Sequence, residues 1–291
     1  MDKVRAALIQ LAWSTRERMI DQYDDLIGAA ARDGAGIVCL PEFSLSPYFP
    51  GIIDEAGFAW AEPLRGGESD RVFAELARRH RVALVGSLFE RTDDGVYYDT
   101  AVIYDAAGQF VGATRKIHIP YGEGYNETHY FGGGAEYPVY SVCGVNLATP
   151  TCYDQWFPEL ARIYSLNGAE FIFYPTAIGS EPTDPAIDTS AAWQTVMRGH
   201  AIANGVYIGA ANRVGVENGV TFYGSSFICD PQGRILAQAG RDTTEVIAAD
   251  LDPAVLEHWR WLFPLLHQRR HDTYGPITRR YEAPNARPDP G

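Results

Sequence analysis

The chain has 291 residues, 46% of them hydrophobic and 21% charged, a length that one large domain or two average ones can fill and a balance far from the signature of disorder. Thirty-seven acidic residues against 24 basic ones leave a net charge of -13, which argues against a nucleic-acid binder and is compatible with a cationic small molecule. The cysteines Cys39, Cys143, Cys152 and Cys229 have no C-x-x-C spacing and read as free thiols of a reducing, cytoplasmic compartment.

The first strand pattern, residues 4–11, begins without a basic leader or cleavage site, so no secretory signal is expected. A helix follows, opened by a capping box of Ser14 and Glu17, carrying Met19, Ile20, Tyr23, Leu26 and Ile27 inward and closed by Gly34. Strand 36–40 precedes a second helix, which starts after Ser69 with Val72, Phe73 and Leu76 on one face. Strands 82–89 and 101–104 come next, and the turn Ala106-Ala107-Gly108 sends the chain back antiparallel. The uncharged stretch 137–153 is broken by Pro138, Asn146 and Pro150, so it does not read as a membrane span. Strand 145–149, helix 158–166, strand 171–174, helix 190–203 and strand 206–211 then alternate. Strands 226–229 and 245–250 complete the pattern, with a turn at Asp230-Pro231-Gln232-Gly233. The alternation predicts an α/β fold with antiparallel pairs mixed into its sheets. No linker or repeat divides the chain, which reads as one domain over 1–274 and a proline-rich tail over 275–291.

Some familiar signals carry no weight. Gly122-Glu123-Gly124 lacks the third glycine of a dinucleotide fingerprint, and Gly224-Ser225-Ser226 is no nucleophile elbow. His267 and His271 have metal-pair spacing, but Arg269 and Arg270 between them favour a solvated basic face, and no metal is expected. Three residues remain. Cys152 lies between a buried strand pattern and a helix that begins near Pro158, where backbone N–H groups lower a thiol's pKa and hold an oxyanion; a small buried hydrophobe is the alternative. Glu42 stands just past strand 36–40, at the sheet edge where α/β ligands bind, unless it is a solvated loop acid. Lys116 is one of two lysines among 24 basic residues, which marks either a site needing a compact ammonium or chance.

Together, Leu40-Pro41-Glu42-Phe43, Arg115-Lys116-Ile117-His118-Ile119-Pro120 and Thr151-Cys152-Tyr153-Asp154 resemble the Glu, Lys and Cys motifs of the nitrilase superfamily of carbon–nitrogen hydrolases. The resemblance covers the chain from Val4 to about Tyr274 and implies a four-layer α-β-β-α sandwich in which protomers pair through helices beside the active site. Residues 125–131 resemble the family stretch that supplies a second active-site glutamate, here Glu127. Asp154-Gln155-Trp156-Phe157-Pro158-Glu159, Tyr174-Pro175-Thr176-Ala177-Ile178-Gly179 and residues 200–207 look like the N-carbamoylputrescine amidase branch. Thr149-Pro150-Thr151 and Ser180-Glu181 depart from that branch near the substrate.

The resemblance implies attack by Cys152 on a ureido carbonyl, with Glu42 as base, Lys116 and the Tyr153 N–H on the oxyanion, and Glu127 orienting Lys116 or the leaving nitrogen. No metal or organic cofactor is implied. Gln155, Trp156 and Glu181 are the substrate-contacting candidates, and Glu123, Asp184 and Asp188 are expected to add to an anionic mouth. Arg198 and Arg213 are the cations that could instead receive a carboxylate. A β-ureidopropionase or other N-carbamoyl amino-acid hydrolase, an aliphatic amidase and a catalytically silent binding protein are the competing readings.

Overall fold

The computed structural model describes residues 3–281. In chain order its first half holds β1 (Val4–Gln10), α1 (Arg16–Arg32), β2 (Ile37–Cys39), α2 (Glu68–His80), β3 (Ala83–Arg91), β4 (Tyr97–Tyr104) and β5 (Phe110–Arg115). The second half holds β6 (Tyr140–Val142), β7 (Val145–Ala148), α3 (Pro158–Leu166), β8 (Phe171–Pro175), α4 (Ser190–Asn204), β9 (Tyr207–Ala211), β10 (Val214–Glu217), β11 (Val220–Tyr223), β12 (Phe227–Cys229), β13 (Ile235–Gln238), β14 (Glu245–Leu251) and α5 (Pro253–Leu262). They form two six-stranded sheets, ordered β14-β1-β2-β3-β4-β5 and β13-β12-β9-β8-β7-β6, and the small hairpin β10-β11. Each sheet has three parallel strands, β1-β2-β3 or β7-β8-β9, with antiparallel strands outside them.

The central strands are apolar on both faces, as strands covered on both sides must be. Ile37 and Cys39 of β2 point into the layer between the sheets, while Val38 and the following Leu40 meet α1 and α2. On β8, Phe171 and Phe173 face the other sheet, and Ile172 and Tyr174 face Leu160 of α3 and Trp193 of α4. Each helix buries one stripe, Met19, Tyr23 and Ile27 on α1 and Trp193, Met197 and Ala201 on α4. The result is the four-layer α-β-β-α sandwich.

Two helix starts differ from the sequence pattern. Thr15, not Ser14, is the N-cap of α1 and accepts from the Arg18 amide at 3.4 Å, whereas the buried Ser14 hydroxyl has no hydrogen-bond partner among the described residues. Gly67 caps α2, and Ser69 sits inside the first turn, where its amide and hydroxyl both donate to Glu62. Strands β6, β10 and β11 and helix α5 have no counterpart in the pattern read from sequence, whereas the turns at 106–108 and 230–233 join the antiparallel pairs β4-β5 and β12-β13, as read. Strand β4 also starts at Tyr97, ahead of the expected 101. No helix among the described residues is long and apolar enough to cross a membrane. Beyond α5 the chain continues through short exposed turns to Tyr281, and the rest of the proline-rich tail lies outside the described residues.

The sheets meet so closely at β9 that a Cβ on Gly209 would lie 2.7 Å from Phe173 of its own sheet and 3.3 Å from Leu8 of the other. Gly209→Ala is therefore expected to destabilise the protein by about 1–3 kcal/mol through overpacking, measured as a lower midpoint of urea unfolding.

Candidate active site

The carboxyl-terminal ends of the parallel strands of both sheets converge on one spot. Strand β2 ends at Cys39, Pro41 cannot continue the ladder, and Phe43 takes a left-handed φ of 48°. This turn would leave backbone carbonyls buried, and the guanidinium of Arg213, just past β9, satisfies them. It donates to the carbonyls of Glu42 at 2.9 Å, Phe43 at 2.5 Å and Ser46 at 2.7 Å, and pairs with Glu217 at 2.8 Å. The Glu42 amide donates to Thr176 O, just past β8, at 3.4 Å, so the second sheet also holds this turn.

Lys116 follows β5, its amide bonded to Asp99 O of β4 at 2.8 Å. Cys152 follows β7 through 149–151 and adopts φ 41° at the head of a 3-10 turn, Cys152–Trp156. Asp154 ties these two segments together. Its buried carboxylate accepts from the amides of Thr151 at 3.3 Å, Ile117 at 3.2 Å and His118 at 2.8 Å. A left-handed cysteine is strained, and such strain is kept where neighbouring structure over-determines it.

Glu42, Asp99, Lys116 and Glu127 are all 0% exposed. The Lys116 Nζ lies 2.8 Å from Glu42 Oε1, 2.5 Å from Glu127 Oε2 and 3.5 Å from Asp99 Oδ2. Tyr48 OH donates to the other Glu127 oxygen at 2.9 Å. The three carboxylates offer oxygens within 4.8 Å of one another, a set that could hold a cation, and the lysine ammonium is the cation they surround. Burial would lower the Lys116 pKa, but Glu127 and Glu42 outweigh it and keep the ammonium well above its ordinary value. Burial pushes the Glu42 carboxyl well above the usual carboxylate range, and Asp99 and Glu127 add to this against Lys116. Glu127 is raised by burial in the same way.

The thiol departs from the sequence expectation. Helix α3 begins only at Pro158, so Cys152 does not sit at its N-terminus, and burial, with Glu42 next in strength, pushes the thiol well above its ordinary value. The Cys152 Sγ lies 3.6 Å from Ala177 O. A neutral thiol in that setting needs a base, and Glu42, with a raised proton affinity, is the carboxylate whose charge acts on it most strongly.

Cys152 and Glu127 line a cavity of about 170 Å³ walled by Tyr121, Tyr125, Tyr153 and Trp156, with Glu181 beside them. No lysine or arginine lines it among the described residues. Burial raises the Glu181 carboxyl, with no cation to offset it. Of the other candidates, Gln155 is not in the cavity wall: it is fully buried behind the turn, accepting from the Thr176 hydroxyl at 3.3 Å and placing its carbonyl 3.0 Å from His200 Nε2. The wider anionic mouth also shrinks. Glu123 and Asp184 are exposed outside the cavity wall, and Asp188 pairs with Arg241 at 3.1 Å. Arg198 bonds Gly233 O at 2.7 Å, and Arg213 is spent on the Glu42 turn, so neither reaches the cavity. Sequence reasoning missed Tyr48, Asp99 and Asp154; only the burial of their polar groups by distant segments marks them.

A carbon-nitrogen hydrolase family model matches residues 5–261. The citrullinase of Francisella tularensis subsp. tularensis is 37% identical over 287 residues, covering 97% of this chain and 100% of that protein. The N-carbamoylputrescine amidase of Oryza sativa subsp. japonica is 37% identical over 282 residues, 94% of this chain and 93% of that one. Among solved structures, a carbon-nitrogen hydrolase from Helicobacter pylori G27 superposes with a TM-score of 0.89 at 34% identity, over 96% of this chain and 99% of that one. The chain belongs to the carbon-nitrogen hydrolase family, and it is a hydrolase of carbon–nitrogen bonds.

Proposed function

We propose that the protein hydrolyses an N-carbamoyl amine, with N-carbamoylputrescine as the substrate that suits its cavity best. One observation carries the substrate assignment: the cavity around Cys152 is aromatic and contains Glu181 but no basic residue among the described residues. A distal ammonium finds a partly desolvated carboxylate there, whereas a distal carboxylate would lose its hydration with no cation to receive it.

In this reading Cys152 attacks the ureido carbonyl while Glu42 takes the thiol proton. Glu42 returns that proton to the terminal nitrogen, the C–N bond breaks, ammonia leaves and an N-alkylcarbamoyl thioester remains. Glu42 then deprotonates a water, which attacks the thioester. The C–S bond breaks, the proton returns to sulfur, and the released carbamic acid falls apart to amine and carbon dioxide. Lys116 and the Tyr153 N–H stabilise the oxyanion of both tetrahedral intermediates. Glu127, held by Tyr48, keeps Lys116 in place. The free state of all four cysteines supports a reducing, cytoplasmic setting for this chemistry.

The similarity to a citrullinase favours a second reading, in which the ureido group is that of citrulline. Citrulline carries an ammonium beside a carboxylate, so it gains the Glu181 contact and suffers the unpaired carboxylate. Expected kcat/KM values fall in the order N-carbamoylputrescine, citrulline, N-carbamoyl-β-alanine, with at least about tenfold, or about 1.4 kcal/mol, between first and last. Steady-state ammonia release checks this; citrulline at or above the first place would assign the second reading.

Cys152→Ala should fold normally and lose at least about 10³-fold in turnover, because the covalent step disappears. Retention of more than a few per cent of wild-type ammonia release would remove Cys152 as nucleophile.

We also propose a homo-oligomer. Trp261 is 75% exposed and Ile277 64%, and Leu262, Phe263 and Leu265 of the same C-terminal segment are exposed too, an apolar surface that a second copy would cover. Sedimentation at assay concentration is expected to give at least a dimer; a fully active monomer would contradict it.

A further inference from the structure

Around Lys116 the charges do not balance. One ammonium faces three carboxylates, Glu42 from the turn after β2, Glu127 from its 3-10 turn and Asp99 from β4, all without solvent exposure. Glu127 has both oxygens satisfied, one by Lys116 and one by the Tyr48 hydroxyl. The other two carboxylates are held less fully. Glu42 Oε1 meets Lys116, and Asp99 Oδ1 accepts from the Ser87 hydroxyl at 3.1 Å while its Oδ2 lies 3.5 Å from the Lys116 ammonium, but the buried Glu42 Oε2 and Asp99 Oδ2 accept no hydrogen bond among the described residues. An extra negative charge in a dry site is costly, and two neighbouring carboxylates relieve each other when one of them takes a proton.

We infer that Asp99 is a positioning residue of the catalytic cluster, acting through Glu42 by strengthening that carboxylate's hold on the proton it receives from Cys152. The inference rests on Glu42 being the base of the proposed reaction. Several groups face Glu42: Lys116, Asp99, Glu127 and Cys152, with Tyr48 beside Glu127 and the Arg213 guanidinium on the Glu42 carbonyl. Of these, Glu127 and Asp99 favour the protonated form, and Lys116 opposes it. Glu42 is the carboxylate whose charge acts most strongly on the Cys152 thiol, and Asp99 acts on Glu42, so the route from Asp99 to the nucleophile runs through the base. Asp99 also lies within reach to do this without leaving its strand, since the Lys116 amide bonds its carbonyl and its side chain is anchored by Ser87, whose hydroxyl accepts from the Phe43 amide at 3.0 Å next to Glu42. A base with too weak a grip could not draw a proton from a thiol that burial has made reluctant, and a base with too strong a grip would not return it to the leaving nitrogen.

The test is the pH profile of the Asp99→Asn enzyme. Asparagine keeps the size and leaves one ammonium facing two carboxylates, a better-balanced cluster that should fold. Glu42 serves as base only when ionised, so activity falls as pH drops through its pKa. Removing the neighbouring carboxylate lowers that pKa, and the acid limb of kcat/KM should move down by about one pH unit. Alkylation of Cys152 by the neutral reagent iodoacetamide, followed by peptide mass, needs no substrate and should show the same downward movement, with exposed Cys143 as the internal reference. A merely structural Asp99 would lower activity or stability evenly and leave both limbs where they are in the wild type; that result would overturn the inference. Asp99→Ser, which retains a partner for Ser87, repeats the measurement if the asparagine variant does not fold. Should the wild type release no ammonia from any ureido compound while the alkylation limb still moves, the substrate assignment fails and the role of Asp99 stands.

Discussion

A lysine ammonium without water must be surrounded by acceptors that hold their positions, because the cost of drying it is recovered only when the opposing charges stand at hydrogen-bond distance. At Lys116 the acceptors come from three separate parts of the chain, the turn after β2, strand β4 and the 3-10 turn Glu127–His129. Each needs its own restraint. Arg213 gathers the carbonyls of the first, the β3-β4 ladder and Ser87 fix the second, and Tyr48 holds the third. Removing the ammonium from a buried set of this kind typically costs about 3–5 kcal/mol, since the carboxylates are left uncompensated. Much of the architecture around the site can be understood as the means of keeping those groups from drifting apart.

The two-sheet design makes this possible. Glu42, Lys116 and Asp99 belong to the first sheet or its loops, while Cys152 and Ala177 follow strands of the second. The layer between the sheets is apolar and closely packed, with Leu8, Phe173 and Gly209 in contact range, so the two sets of groups meet in a fixed relation. Asp154 then adds a polar link, binding amides on both the Cys152 and Lys116 segments. Strain is confined to the places where chain direction must change abruptly. Phe43 and Cys152, both left-handed, flank the reactive groups and are held by contacts from distant segments.

The electrostatics divide the site into two zones. Deep in the pocket, carboxylates and ammonium hold each other's protonation states away from their solution values, which suits a neutral thiol paired with a carboxylate base. Toward the opening, aromatic side chains surround the half-buried Glu181, which with Glu127 makes the two carboxylates of the cavity wall. The protein's net charge of -13 gives a background of the same sign, which favours the approach of a cationic molecule.

How much was legible in the chain itself depends on how locally each feature is encoded. Strands β2, β3 and β8 are apolar on both faces, and α3 begins at Pro158 and ends at Leu166 as its pattern indicates, because burial of an element leaves its period in that element's own residues. Glu42 and Cys152 were readable for a related reason, each standing just past such a strand, whereas Lys116 stood out by the scarcity of lysine in the chain. Strand β10 was not readable, being four residues long with a glycine and a glutamate in it and its pairing supplied by β11, and β13 was signalled only by the turn before it. Ser14, with Glu17 three residues on, carries the local signature of a cap, and the fold places Thr15 there instead. Asp99 was hidden because the aromatic-polar run at the start of β4 does not announce a buried strand. Which acids would face the cavity, and that Gln155 would turn away from it while Trp156 lines it, depended on packing between α4, the Cys152 turn and the loop after β8. The direction in which the thiol is shifted was likewise a tertiary matter. Proximity to a helix start can be guessed from the sequence, but the burial of Cys152 comes with the fold, and the carboxylate that acts on it most strongly, Glu42, is brought from more than a hundred positions away.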